Sequence, residues 1–455
     1  VSILLAAAAA ATSSADVRTV CNDVDYTLVD TIELDTSGQY NTFIRCVVAA
    51  DVDQDGAPDL IASDRFDDEL LVLLNDGAGG FLPPLAFEAT GGEWNRIVIA
   101  EDLNGDGFPD LAISSLQGLV VMLNRGLGES TFWLGFDVPV LHASGADPHW
   151  VDAADLDGDG DPDLLVADLG LAGEETGFHY FMNDGAGQFS EGVPVNLGFD
   201  ARCISIIGTD LDGDDHPEVL VVGNRSSTNM VHVFENLGPG ADQWAGLLYD
   251  TTLLLEYGAC SIRDADFDGD GDRDLLICHR SRPHATLLLN DGAGGLTIGN
   301  LVIPDSSELA EPFDANQDGL PDFAVAVKDL DQIKVYVNRG DGSFVTEESM
   351  QTGDEPKFLA VADFDLDGSP DVVSADSLPG FDRGTLTLHR NSTTTGTPSC
   401  EGDISCDGRV GVDDLLGVIS GWGSTGDEPA DLNLDGVVGV DDLLRVVSLW
   451  GPCDP

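Results

Sequence analysis

Short apolar runs rich in Val, Ile and Leu recur along the chain, mostly four to six residues long and bounded by Gly- and Asp-rich turns. Runs of that length between such turns specify strands rather than helices. They come in sets. One run, such as 46–50 or 96–100, precedes an acidic turn; a second, such as 60–62 or 164–167, follows it; a third, such as 71–74 or 286–289, ends in Asn. The terminal asparagines are Asn75, Asn124, Asn183, Asn236, Asn290, Asn338 and Asn391. Asp-Gly-Ala-Gly turns follow at 76–79, 184–187 and 291–294. Asx-Gly pairs accept the positive φ angles of tight hairpins, so a fourth strand returns. Each set predicts a four-stranded antiparallel meander.

Seven sets follow one another, their acidic turns starting 51, 53, 55, 56, 48 and 49 residues apart. Units of this length cannot each bury a face alone, and packing them radially does so. The predicted fold class is all-β, a seven-bladed β-propeller over residues 23–391. The last set stops after its third run, while residues 26–34 form an unmatched, strand-like stretch before the first set. That stretch can supply the missing edge and lock the ring.

The acidic turns share one ladder, D-x-[DN]-x-D-[GD]-x-x-[DE]. Its candidate ligands are Asp51, Asp53, Asp55, Asp59; Asp102, Asn104, Asp106, Asp110; Asp155, Asp157, Asp159, Asp163; and Asp210, Asp212, Asp214, Glu218. The remaining three sets are Asp266, Asp268, Asp270, Asp274; Asp314, Asn316, Asp318, Asp322; and Asp363, Asp365, Asp367, Asp371. Alternating Asp on a tight loop brings hard oxygens to one point, the ligand type that Ca²⁺ takes in sets of six to eight. Up to seven Ca²⁺ ions are expected in the propeller. The fourth ladder departs most, with Asp215 in place of the usual Gly and Glu218 at the close, and should be the most distorted site. The repeated ladder with its trailing Asn-Asp-Gly turns resembles the FG-GAP/VCBS repeat family, the propeller unit also found in integrin α-chains. The resemblance implies that the calcium is structural and lies opposite the ligand-binding face.

Past a linker at 392–399, two near-copies lie 28 residues apart. Each is a twelve-residue loop with oxygen ligands at positions 1, 3, 5 and 12 and Gly at position 6, the spacing of an EF-hand. The ligands would be Asp403, Ser405, Asp407 and Asp414 in one, and Asp431, Asn433, Asp435 and Asp442 in the other. Stretches 415–422 and 443–450 follow with helical spacing of Leu, Val, Ile and Trp. The duplicated loop and helix, with Asp at position 12, resembles a type I dockerin over residues 400–455. That resemblance implies two more Ca²⁺ ions and a cohesin-type partner on a scaffold or cell surface. Its recognition positions would be Val412, Asp413, Val440 and Asp441.

Residues 1–15 read as part of an export signal: a short apolar run ends in Thr12-Ser13-Ser14-Ala15, small residues of a cleavage site. A secreted, extracellular or surface-associated protein follows, in a compartment rich in Ca²⁺ and tolerant of disulfides. Eight cysteines fit that compartment, and their pairing stays open. The 83 acids against 19 Lys and Arg give a formal charge of −64. With no basic surface to displace counterions, nucleic acid is excluded as a partner. No stretch is long and apolar enough for membrane insertion, and such charge favours a soluble monomer.

Six residues before the first ladder Asp stand Arg45, Arg96, His149 and Lys357, with Trp94, Trp150 and Tyr257 nearby. Basic residues are scarce, so a shared position suggests a top-face site for an anionic or hydroxyl-rich ligand such as a glycan; salt bridges between blades are the structural alternative. No Ser-His-Asp spacing, zinc motif or phosphate loop stands out. The functional reading is a calcium-binding adhesion or carbohydrate-binding module, anchored through its tail. The alternative is a tethered polysaccharide hydrolase or lyase with its site on the top face.

Overall fold

The computed structural model describes residues 24, 26–34, 43–65, 68–89, 95–128, 132–145, 147–170, 175–199, 201–225, 228–240, 244–255, 258–279, 285–299, 309–340, 343–377, 384–391, 409–410, 415, 418–419, 422–423, 437–449 and 451–452. The chain divides into two compact units: Asp23–Thr393, and Val1–Asn22 with Thr394–Pro455.

The larger unit is a seven-bladed propeller of seven four-stranded antiparallel sheets. Blade 1 is Ile44–Ala50, Asp59–Asp64, Glu69–Leu73 and Leu85–Glu88, paired in that order. The next five blades repeat this meander, starting with the strands Asn95–Glu101, Pro148–Ala154, Ala201–Thr209, Ala259–Ala265 and Ala310–Phe313. Blade 7 has Pro356–Ala362, Asp371–Ser377 and Gly384–Asn391, and its outer strand is the N-terminal Tyr26–Glu33. Tyr26 pairs with Asn391 and Glu33 with Thr385, closing the ring as the unmatched stretch predicted.

Burial explains the sequence pattern. The second strand is buried along its whole length in blades 1, 2, 3, 5, 6 and 7. Neighbouring blades cover both its faces, so its runs are continuously apolar rather than alternating. Outer strands such as Leu85–Glu88 and Tyr26–Glu33 are largely exposed and read more weakly.

In the C-terminal unit the described residues contain one helix of ten residues, Val440–Leu449, helical backbone at 415, 418 and 419, and a ribbon pairing Arg409 with Pro452 and Val410 with Gly451. A two-helix, two-loop domain is not evident among them. The expected ligands Asp403, Ser405, Asp407, Asp414, Asp431, Asn433 and Asp435, with Val412 and Asp413, lie outside the described residues. Asp442 is buried and its carboxylate accepts the Gly439 N–H at 2.7 Å. It thus serves as half of a capping box on the helix. Val418, Val438 and Val446 form a small core, while Val440, Leu444 and Val447 stay about half exposed along one side of the helix. No described helix is long and apolar enough to cross a membrane.

Candidate functional site

Each ladder is the turn from first to second strand. In blade 1 the Asp51 carboxylate accepts the N–H groups of Asp55 (3.1 Å) and Gly56 (2.9 Å), curling the loop around itself. Gly56, at φ +94°, makes the sharp turn possible. The same bond to the sixth ladder residue recurs from Gly107, Gly160, Gly271, Gly319 and Gly368. In blade 4 Asp215 takes that place with φ 68°, a left-handed conformation that costs a residue with a Cβ.

Three carboxylates converge at five of the loops, with ligand oxygens all within 4.8 Å of one another. They are Asp51, Asp53, Asp59; Asp155, Asp157, Asp163; Asp210, Asp212, Glu218; Asp266, Asp268, Asp274; and Asp363, Asp365, Asp371. In blades 2 and 6, Asn104 and Asn316 put an amide at the second position, and each amide oxygen accepts the N–H two residues on. The third ladder carboxylate stands outside the triads. Asp55 accepts the Ala57 N–H at 2.9 Å, and Asp106, Asp159, Asp214, Asp270, Asp318 and Asp367 cap the turn likewise.

The closing carboxylate opens the buried second strand. Burial pushes Asp59, Asp110, Asp163, Glu218, Asp322 and Asp371 up to about 7, with adjacent ladder carboxylates adding to the rise. Partly buried hard oxygens crowded this closely disfavour their own ionisation, and a divalent cation among them reverses that. The five triads therefore fit Ca²⁺.

One role escaped the sequence reading. The asparagine ending each third strand reaches into the preceding blade, where its Nδ2 donates to the carbonyl just after the first ladder Asp. Asn75 binds Phe364, Asn124 binds Val52, Asn183 binds Leu103, Asn236 binds Leu156, Asn290 binds Leu211, Asn338 binds Phe267 and Asn391 binds Ala315, at 2.7–2.9 Å. Its sevenfold recurrence was the signal; its partner, a turn away around the ring, was not visible.

At the opposite end of the first strands, the position of Arg45, Arg96, His149 and Lys357 proves to be a β-bulge. Pairing skips a residue between Ile44 and Cys46, Pro148 and Trp150, and Pro356 and Phe358, and is irregular between Asn95 and Val98. A bulge re-aims the extra side chain, and of the four, Arg45 and His149 meet. Arg45 lies 3.4 Å from His149 Nε2, whose Nδ1 is 2.8 Å from the Ile204 carbonyl. Arg96 pairs with Asp147 at 2.6 Å. Lys357 sits 4.3 Å over the Phe43 ring, which Arg65, not singled out in the sequence, approaches at 5.8 Å. Arg96, His149 and Lys357 are buried and Arg45 is half-buried. Arg96 to Asp147 is a salt bridge between blades 2 and 3, while Lys357 also reaches Glu355 at 3.7 Å and the Ser377 carbonyl at 3.3 Å within blade 7. Trp94 and Tyr257 lie outside the described residues.

Trp150 is buried in the wall of the central channel, 5.7 Å from Phe358 and under the Arg263 guanidinium at 5.1 Å. The channel encloses about 440 Å³ and also holds Asp152, which burial pushes up to about 7, and Glu311, paired with Arg263 at 3.0 Å.

Two grooves open between blades at equivalent positions on the outer rim. The one between blades 1 and 2, about 510 Å³, is lined mostly by apolar side chains such as Phe87, Val120, Met122 and Phe136, with Glu88 and Asp137 among them. The one between blades 3 and 4, about 430 Å³, is lined by Asn196, Met230, His232, Phe234, Tyr249 and Thr252. Counting back from Asn124 and Asn236, Val120 is replaced by His232 and Met122 by Phe234. Tyr249 is 51% exposed and meets Phe234 edge-on at 5.6 Å. Its hydroxyl bonds Thr252 Oγ1 at 2.5 Å, which bonds His232 Nδ1 at 2.8 Å. Burial lowers the pKa of His232, so a neutral imidazole faces the groove with Nε2 left for a ligand. None of these six residues stood out in the sequence, because they come from strands of two different blades.

The profile of the FG-GAP-like repeat matches residues 51–113, 102–166, 210–277 and 314–374, together more than half of the chain. No curated protein sequence matches. Among solved structures, BBS1N in complex with ARL6DN is similar at 11% identity, covering 80% of this chain and 96% of that one, with a TM-score of 0.54. A lectin from Agrocybe aegerita, solved for its recognition of non-reducing terminal N-acetylglucosamine, is 20% identical over 70% of this chain and 83% of its own, with a TM-score of 0.48.

Proposed function

The chain belongs to the FG-GAP-like repeat family, and from that premise we propose that it is an exported, calcium-fastened propeller that binds a glycan in the groove between blades 3 and 4 and is anchored through a dockerin-like tail. The observation that carries the ligand is the chemistry of that groove. Tyr249 offers a half-exposed aromatic face, while His232 Nε2 and the Asn196 amide offer hydrogen bonds beside it. A sugar ring presents an apolar face and hydroxyl edges, and a concave site with an aromatic wall and a few convergent polar groups suits it. The groove between blades 1 and 2 has Val120 and Met122 in place of His232 and Phe234 on its corresponding strand. For the tail, the support is the exposed stripe Val440, Leu444 and Val447 on a helix whose other side is packed, the arrangement of a helix that meets a partner.

One experiment addresses both halves: calcium-loaded full-length protein on a glycan array and on immobilised cohesin. Retention on both is expected, with Tyr249→Ala weakening glycan binding about tenfold or more and leaving cohesin retention alone. Glycan binding undiminished in Tyr249→Ala would remove the groove from the reading, and failure on the cohesin resin would remove the anchor.

A further inference from the structure

We propose that the seven ladder loops form one chain of bonds, coupled head to tail by the strand-end asparagines, with its break at blade 4. Beyond its reach into the preceding blade, each asparagine is tied to its own loop. The backbone N–H of Asn75 donates to the closing carboxylate Asp59 at 2.8 Å, and the same bond joins Asn124 to Asp110, Asn183 to Asp163, Asn290 to Asp274, Asn338 to Asp322 and Asn391 to Asp371. The other oxygen of each closing carboxylate accepts the N–H of the residue after the first ladder Asp: Val52, Leu103, Leu156, Leu211, Phe267, Ala315 and Phe364, at 2.8–3.1 Å. The carbonyl of that same residue is what the next blade's asparagine holds.

In six of the seven blades the links run from carboxylate to peptide to asparagine to the next carboxylate, and they pass through the ring closure by way of Asn391, Phe364 and Asn75. Among the described residues one link is missing. Asn236 binds Leu156 of blade 3 at 2.8 Å, but its backbone N–H makes no bond to Glu218, whose longer side chain replaces Asp. The loop there also carries the left-handed Asp215.

The circuit makes the asparagines positioning residues for a neighbour's metal. An ion drawing Asp371 and Asp363 together fixes the Phe364 peptide, which orients Asn75, which orients Asp59 in blade 1. Binding at one loop then lowers the ordering cost at the next, the condition for positive cooperativity. A latch that only held blades together would leave the calcium sites independent.

The test is calorimetric titration of chelator-stripped full-length protein with Ca²⁺. The parent should bind with a Hill slope above one. Asn75→Asp replaces the donating amide with an acceptor while keeping the oxygen that receives the Gly77 N–H; it should flatten the slope and weaken binding about tenfold, the effect of losing one buried hydrogen bond. Glu218→Asp supplies the missing link and should steepen the slope, a gain that does not depend on Asn75→Asp folding. The proposal rests on the loops binding Ca²⁺. No binding at all would sink that reading, whereas binding with a slope of one, unmoved by Glu218→Asp, would overturn the coupling alone.

Discussion

At the ladder end of the first strands, seven loops carry nearly the same donors and acceptors, and the bonds between blades run from a side-chain amide to a backbone carbonyl. At the bulge end, six first strands share a backbone irregularity, yet only those of blades 1, 2, 3 and 7 place a cation or His there, each with partners of its own. The difference is instructive. Bonds to the backbone can be copied with every repeat, because every blade offers the same carbonyl. Side-chain pairs need a partner in one particular neighbour, so they mark individual blade interfaces and can set which blades adjoin.

Stripping calcium should break the comparison most strongly. Metal bound only by the folded state stabilises it by mass action, about 2.7 kcal/mol for each site held at a hundredfold its Kd. Five triads so loaded amount to more than 10 kcal/mol, and for a propeller of this size EDTA should lower the melting temperature by roughly 15 °C. A melt unchanged by EDTA, followed by circular dichroism, would mean that the ladder end owes its stability to hydrogen bonds alone.

The bulge end should respond less and locally. The Arg96 and Asp147 side chains are 10% and 20% exposed, so removing the cation strands a mostly desolvated carboxylate. Arg96→Ala should cost about 3 kcal/mol in urea unfolding of the calcium-loaded protein. Arg125→Ala, at the exposed pair with Asp137, should cost under about 0.5 kcal/mol. Equal losses from the two variants would show that position in the bulge carries no special weight.

These two ends also differ in how far the sequence revealed them. The ladder, its period and the unmatched strand at 26–34 were legible because each is a local pattern repeated, and the ring closure follows from counting strands. The common position of Arg45, Arg96, His149 and Lys357 was legible too, but the bulge beneath it was not: it depends on register with the next strand. The same limit hid Arg65, which meets Phe43 from the far end of the second strand, and the latch asparagines, whose carbonyl partners lie 71 to 80 residues upstream in most blades.

A further expected effect is one of sign. In the metal-free propeller, burial pushes Asp59, Asp110, Asp163, Asp322 and Asp371 up to about 7, against the ordinary 3.8 of Asp. Between about pH 4 and 7 the folded state then binds more protons than the unfolded one, so stability falls as pH rises through that window. Calcium inverts this, because only ionised carboxylates ligate and protonation on the acid side of about 7 competes with the ion. Melting temperatures of EDTA-treated protein should therefore climb from pH 8 to pH 5.5, while those of calcium-loaded protein decline. The bulge end has no such lever on calcium, because none of its cations lies in a ladder. Parallel trends in the two conditions would detach the closing carboxyls from metal binding and leave Asp59 and its counterparts as strand caps.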